Sequence, residues 1–315
     1  MRESFQPPPL ATINPAMIQS LYLGRLDYGE ALALQAEIAA HVADGRTQNV
    51  LLLLEHPPVL TLGRNADRAH ILASSELLAR RGIAIHEINR GGDVTYHGPG
   101  QLIGYPIFDL RTLTAASGRR MGPVDFVRLI EEALIRLSIG YGVRAGRIRG
   151  LTGVWCGSTG NREQGSGISS MTGENMHNQT DSVESARKIA AIGIHVARGI
   201  TTHGFAFNLS TDLDDFSLIV PCGIKDYAVT SLAREVESTQ CLPTLEELAH
   251  HTARCFGQVF NQQILAVESQ AALRTQAESA VPQPAEQEFP AQDTPLQIPA
   301  EVERLMGRSR RPQRA

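Results

Sequence analysis

The chain has 315 residues, 42% of them apolar, and a formal net charge of -4. That length suffices for one large domain or two small ones with a sizeable core. No apolar run approaches the roughly 18 residues of a membrane span, and the mild negative charge argues against nucleic acid as a partner.

Met1 to Pro15 is polar and proline-rich, without the basic-then-apolar pattern of a signal peptide, so a cytoplasmic location is expected. Residues 1–16 read as a flexible N-terminus and 17–27 as a strand. Tyr28 to Ala43 reads as an amphipathic helix with Ala31, Leu32, Leu34, Ile38 and Val42 inward, stopped by Gly45. Val50 to Leu54 is an unbroken apolar run, as in a buried strand. After Pro57-Pro58 the extended pattern resumes over Val59 to Leu62. Ser74 and Ser75 cap a short helix that Gly82 ends, and a strand follows to Asn89.

Pro123 to Ile139 is a second amphipathic helix, with Val124, Val127, Ile130, Leu134 and Leu137 on one face. A strand pattern surrounds Leu151 to Trp155. Residues 158–185, rich in Gly, Ser, Asn and Thr, read as a flexible insertion. Strands return at Lys188 to Val196 and Thr201 to Leu209. A final helix runs from Thr244 to about Ala266, with Glu247 completing a capping box. Residues 267–315 read as a disordered tail. The catalytic domain is thus 17–266, and the mixed order of elements predicts α/β or α+β around one mixed sheet.

Three features carry chemistry. The stretch Arg90-Gly91-Gly92-Asp93-Val94-Thr95-Tyr96-His97-Gly98-Pro99-Gly100-Gln101 packs polar groups between glycines, which lets backbone approach a ligand. Lysine is nearly absent: of 29 Lys and Arg, only Lys188 and Lys225 are lysines. Arginine cannot lose its proton in a protein and a lysine amine can, so the survivors are candidate titrating groups. Cys222 stands between Pro221 and Gly223 at a turn that presents a thiol. Its partner is one of Lys188, Lys225, His97 or His203, and spacing alone does not choose. Apolar neighbours Ile189 and Ile192 would desolvate Lys188 and lower its pKa. No Walker loop or dinucleotide fingerprint occurs.

The stretch 90–101, Tyr105-Pro106, Lys188-Ile-Ala-Ala-Ile-Gly193, His203-Gly-Phe-Ala-Phe-Asn208 and Pro221-Cys222-Gly223, in this order, resemble the lipoyl(octanoyl) transferases. Asp226 and Val229-Thr230-Ser231-Leu232 continue the resemblance, which covers roughly residues 20 to 260. It implies the fold of the biotin and lipoate protein ligases. It also implies transfer of an octanoyl group from octanoyl-acyl carrier protein to a lysine of a lipoyl domain. The acceptors would be the 2-oxoacid dehydrogenases and the glycine cleavage H protein. In that family the residue matching Cys222 carries the acyl group and the one matching Lys188 activates it. Residues matching 90–97, Ala191, Ile192, Gly193, Gly204, Phe205 and Ala206 line the acyl pocket, and His203 orients a loop or donates a hydrogen bond. No cofactor is implied. Two other enzymes remain open: an ATP-dependent lipoate ligase of the same fold, and a hydrolase pairing Cys222 with His97 or His203. A carrier-binding module with an inert cysteine is the non-enzymatic alternative. Arg64, Arg68, Arg80, Arg81, Arg119, Arg120, Arg144, Arg147 and Arg149 are candidates for docking an acidic carrier.

Overall fold

The computed structural model describes residues 17–115, 117–157, 186–220, 228–237 and 241–279. Within them the chain forms β1 (Met17–Arg25), α1 (Tyr28–Ala43), β2 (Asn49–Glu55), β3 (Val59–Leu62), α2 (Ser75–Arg80), β4 (Ala84–Glu87) and β5 (Val94–His97). There follow β6 (Gln101–Ile107), α3 (Pro123–Gly140), β7 (Ala145–Ile148), β8 (Leu151–Cys156), β9 (Arg187–Ala197) and β10 (Ile200–Asn208). The described part closes with β11 (Ala228–Val229), α4 (Leu232–Glu235), α5 (Leu245–Phe260), β12 (Gln263–Ala266) and α6 (Gln270–Ser279).

The main sheet has the order β12-β1-β2-β6-β10-β9-β8-β7. Pairing is parallel from β12 to β2 and antiparallel from there on, with β11 added parallel to the start of β9. This is the expected mixed sheet flanked by helices. Its faces follow the two-residue period of β2: Leu51 and Leu53 enter the layer under α3 and α5. Val50, Leu52 and Leu54 enter the layer under α1. Each fully buried leucine is worth about 1.5–3 kcal/mol, so both faces of β2 anchor the fold.

The chain departs from the sequence reading in several places. There are two sheets rather than one, because Pro57-Pro58 breaks the ladder and β3 leaves the main sheet to pair with β4 and β5. The glycine-rich stretch is therefore not all loop; Val94–His97 is a strand. In α3 the buried face is shifted: Val124 is exposed and Phe126 is buried in the core. The last helix ends at Phe260, where Asn261 takes a left-handed φ of 51° as its C-cap, and residues 263–266 turn back as a strand beside β1. Residues 267–279 are ordered. Their helix α6 buries Leu273 and Ala277, with Leu273 against the α1 layer. Two apolar contacts in a Gln/Ala/Glu background leave a weak sequence signal. Residues 1–16, 158–185 and 280–315 lie outside the described residues. Among the described residues no helix is long and apolar enough to cross a membrane.

Candidate functional site

A cavity of about 230 Å³ lies where the two sheets face each other. Its floor comes from β6, β10 and β9, through Ile103, Tyr105, residues 203–206 and residues 191–193. One wall is Tyr28 at the start of α1, another is Arg90 to Asp93 with Thr95 and His97 of β5, and a third is the turn Gly150 to Thr152. Lys188 reaches in from the start of β9.

Of the residues singled out in the sequence, this space gathers Arg90, Gly91, Gly92, Asp93, Thr95, His97, Lys188, Ala191, Ile192, Gly193, His203, Gly204, Phe205 and Ala206. Val94 and Tyr96 are not among its lining. On a strand alternate side chains face opposite ways, so Thr95 and His97 look into the cavity while Val94 and Tyr96 enter the core of the small sheet. There the Tyr96 hydroxyl donates to Asp215 at 2.5 Å. Cys222 and Lys225 lie outside the described residues. Val220, the last residue before that segment, donates its N–H to the His70 carbonyl, and Ala228, the first after it, pairs with Arg187.

The glycines work mainly by backbone approach. A Cβ on Gly193 would stand 2.7 Å from the Gly91 oxygen, and one on Gly63 would stand 2.4 Å from the Gly92 oxygen. The loop 90–92 thus closes down on both sheets. Gly91 N–H also donates to Ile194 at 3.0 Å. Gly204 faces the Gly104 carbonyl rather than open space. Arg90, 9% exposed, spans this junction: its Nη2 donates to the Thr61 carbonyl at 2.7 Å and its Nη1 to the Gly91 carbonyl at 3.0 Å. The buried charge is thereby hydrogen-bonded, as it must be.

Lys188 pairs with Trp155 across β9 and β8, and its Nζ lies 4.6 Å from the indole centroid. Trp155 is buried and Lys188 half-buried, so this is a partly shielded cation–π contact. Gly153, at φ 125°, lets β8 approach β9 beside Lys188, since a Cβ there would stand 2.6 Å from the Ala190 oxygen. Gly153 N–H in turn donates to the buried carboxylate of Glu131.

The cavity histidines are held neutral. Burial, helped by repulsion from His56, pushes His97 down to about 3, and its Nδ1–H donates to Gln101 at 2.8 Å. Burial pushes His203 to about 4, with Arg90 and His195 adding to the effect. His56, behind Tyr105, is also driven to about 4 by burial; its Nδ1–H donates to Leu26 and its Nε2 accepts from the Tyr105 hydroxyl. Cys156 is buried and its thiol is pushed up to about 12. It is packing rather than a nucleophile.

Sequence reading missed Tyr28, Thr61, Asn89, Ile103, Gly150 to Thr152, Gly153 and Trp155. Gly153 and the sole tryptophan carried a usable signal, because a glycine inside a strand marks a close approach. A larger cavity of about 810 Å³ lies between α5, β1 and β12, around Tyr22, Leu53, His250, Arg254 and Ile264. It contains none of the residues above.

The lipoyl protein ligase A/B catalytic domain family matches residues 27–257, which include most of the main sheet and the cavity. The most informative relatives are octanoyltransferases. That of Acidobacterium capsulatum is 51% identical over 254 residues, covering 80% of this chain and 94% of that protein. That of Koribacter versatilis is 47% identical over 253 residues, covering 80% and 88%. The chain belongs to this octanoyltransferase family and is an acyltransferase. Among solved structures, a bipartite lipoate protein ligase from Thermoplasma acidophilum superposes with a TM-score of 0.57 at 16% identity, over 83% of this chain and 91% of that one. Lipoate-protein ligase A bound with ATP does so at 0.55 and 15%, over 83% and 93%. At such identities the likeness establishes the fold.

Proposed function

We propose that the protein moves an octanoyl group from the thioester of acyl carrier protein to Cys222, and from Cys222 to the lysine amine of a lipoyl domain. Lys188 removes the Cys222 thiol proton. The thiolate sulfur then attacks the donor carbonyl, a new C–S bond forms, and the carrier thiolate leaves with the proton that Lys188 returns. In the second half the acceptor amine attacks the Cys222 thioester, a C–N bond forms as the C–S bond breaks, and Lys188 takes the amine proton and returns it to the released cysteine sulfur. The first exchange is nearly balanced and the second runs downhill from thioester to amide, so no nucleotide enters.

The observation that carries this reading is the placement of Lys188. The chain has only one other lysine, and Lys188 is built into the wall of an apolar-floored cavity with its stem beside Gly153 and its amine on Trp155. Apart from Val94 and Tyr96, the residues matching the acyl-pocket blocks line the same space. Burying an eight-carbon chain there is worth about 0.8 kcal/mol per methylene. His97 and His203, kept neutral and each fastened through one ring nitrogen, shape the cavity. Arg64, beside the 90–92 loop, and Arg149, beside Gly150 at the mouth, are exposed and form no ion pair among the described residues. They suit an acidic carrier, with acceptors among the 2-oxoacid dehydrogenases and the glycine cleavage H protein.

Mixing the protein with octanoyl-acyl carrier protein and measuring intact mass tests the reading: Cys222 gains one octanoyl group, and Cys222→Ser gains none. Lys188→Arg keeps the charge but cannot cycle a proton, and is expected to lose at least a hundredfold in transfer rate. Full activity in that variant removes Lys188 from the mechanism. Amide formation from free octanoate and ATP alone, surviving Cys222→Ser, would convert the reading into that of a ligase.

A further inference from the structure

Lys188 faces the cavity against the phase of its own strand. In β9, Ala190, Ile192, Ile194 and Val196 all face the layer under α3 and α5, and a two-residue period would send position 188 the same way. Ile189 enters that layer too. Two consecutive residues therefore face one side, and the pleat slips between them. The register shows the slip: Val154 pairs with Ala190, but the next residue of β8, Trp155, pairs with Lys188 and skips Ile189. A one-residue slip turns every side chain beyond it to the other face. The bulge thus delivers Lys188 to the cavity and its amine to Trp155.

The other neighbour of β8 gives this bulge no regular support. β7 pairs with β8 at Ile148↔Leu151 and at Gly146↔Trp155, which sets Arg147 alone opposite residues 152–154. With irregular register on both edges, the ladder does not fix Gly153. Its N–H goes to a side chain, Oε1 of Glu131 on α3, at 3.1 Å. Glu131 is fully buried, and its Oε2 accepts from Arg128 Nη1 at 2.6 Å and from Arg147 Nε at 3.0 Å. One carboxylate therefore ties α3 to both strands at the bulge, through Arg147 on β7 and Gly153 on β8. An apolar side chain here would pack α3 on the sheet without burying a charge. The carboxylate adds what a leucine lacks, an acceptor aimed at one backbone N–H.

We propose that Glu131 is a positioning residue for acyl transfer. By holding Gly153 it keeps the β8–β9 bulge, and the bulge keeps Lys188 turned to the cavity. The consequence for the reaction rests on Lys188 as the base; the placement of its amine does not.

The test has an optical arm and a kinetic one. Trp155 is the sole tryptophan, and its ring centroid lies 4.6 Å from the Lys188 amine. Its emission is followed in the full chain as the amine is discharged between roughly pH 6 and pH 11. Lys188→Met isolates the lysine step by difference, because Cys156, Arg187 and Glu235, the other titrating or charged groups beside these positions, are the same in both proteins. In Glu131→Leu the step is expected to shrink to about half or less, as amine and ring move apart. In the same variant kcat for octanoyl transfer should fall about tenfold or more, with KM within about threefold of normal. Glu131→Gln still offers Gly153 an acceptor and should recover most of the step.

A role in stability alone would lower the melting temperature of Glu131→Leu and leave the step of the folded protein at full size; that result overturns the proposal. Should Glu131→Leu not fold, Glu131→Asp keeps the charge for both arginines but is about 1.5 Å shorter. It withdraws the acceptor from Gly153 and gives the same loss, and an undiminished step there is equally fatal. If Lys188→Met matches the unaltered protein, the amine is not on the ring and the proposal falls. If the unaltered protein transfers no acyl group, the acyl-transfer reading has failed instead, and the optical step still decides the role of Glu131.

Discussion

Gly153→Ala isolates the seating of Lys188. The residue has a φ of 125°, which an L-residue rarely adopts, and the new Cβ would lie 2.6 Å from the Ala190 oxygen and 3.4 Å from Lys188 Cε. The backbone strain costs about 1–3 kcal/mol, and overpacking a rigid strand against its neighbour adds roughly 1–3 kcal/mol. Gly82→Ala serves as the reference, since Gly82 also has positive φ but no atom within 4 Å of its Cβ; it should cost only about 1 kcal/mol. Urea denaturation at pH 7.5 gives both values. In parallel, octanoyl transfer by Gly153→Ala should fall about tenfold or more, because strand separation displaces the amine that we propose activates the nucleophile. If Gly153→Ala is no less stable than Gly82→Ala and transfers at the normal rate, Gly153 does not seat the lysine.

Two further predictions concern stability. Burial holds His56 and His203 at about 4 and His97 at about 3, below their ordinary value of about 6.5. Below pH 6.5 the unfolded chain binds protons that the folded chain refuses, so the stability is whole above pH 6.5 and drains as pH falls toward 4. The expected slope is about 1.4 kcal/mol per pH unit for each of these histidines, measured by denaturant midpoints from pH 8 to 4.5; a flat profile would show them solvated. Truncation after residue 266 should destabilise by about 3 kcal/mol or more, since it strips Val267 and Leu273 from the α1 layer. Truncation after residue 279 keeps Val267 and Leu273 and serves as the comparison chain in the same thermal melts.

The chemistry of the cavity was legible where residue types are rare or clustered. Lys188 stood out because lysine is almost missing, and the 90–97 stretch because polar groups interleave with glycines. Strand alternation, applied strictly, would also have removed Val94 and Tyr96 from the lining. What the sequence hid are contributions from distant segments that look like ordinary core. Glu131 lies on the buried face of α3, Trp155 at the end of a short strand, and Thr61 within a buried run. Their roles depend on which elements become neighbours. The end of α5 was misread because Gln262 to Ala266 continues a helical pattern. The one contrary sign was Asn261, a residue type that tolerates the left-handed C-cap.

Cys156 and Arg187 are direct partners across β8 and β9. The two ends of the 28 residues between positions 158 and 185 are thus pinned at the mouth of a hairpin. Partners this close across an antiparallel pair are within reach of a tight reverse turn such as Asn-Gly. Shortening the connection from 28 residues to two recovers about 2 kcal/mol of closure entropy. The same geometry makes this junction a grafting point. A fluorescent or affinity module whose termini lie about 5 Å apart can be spliced there without re-registering the strand that carries Lys188.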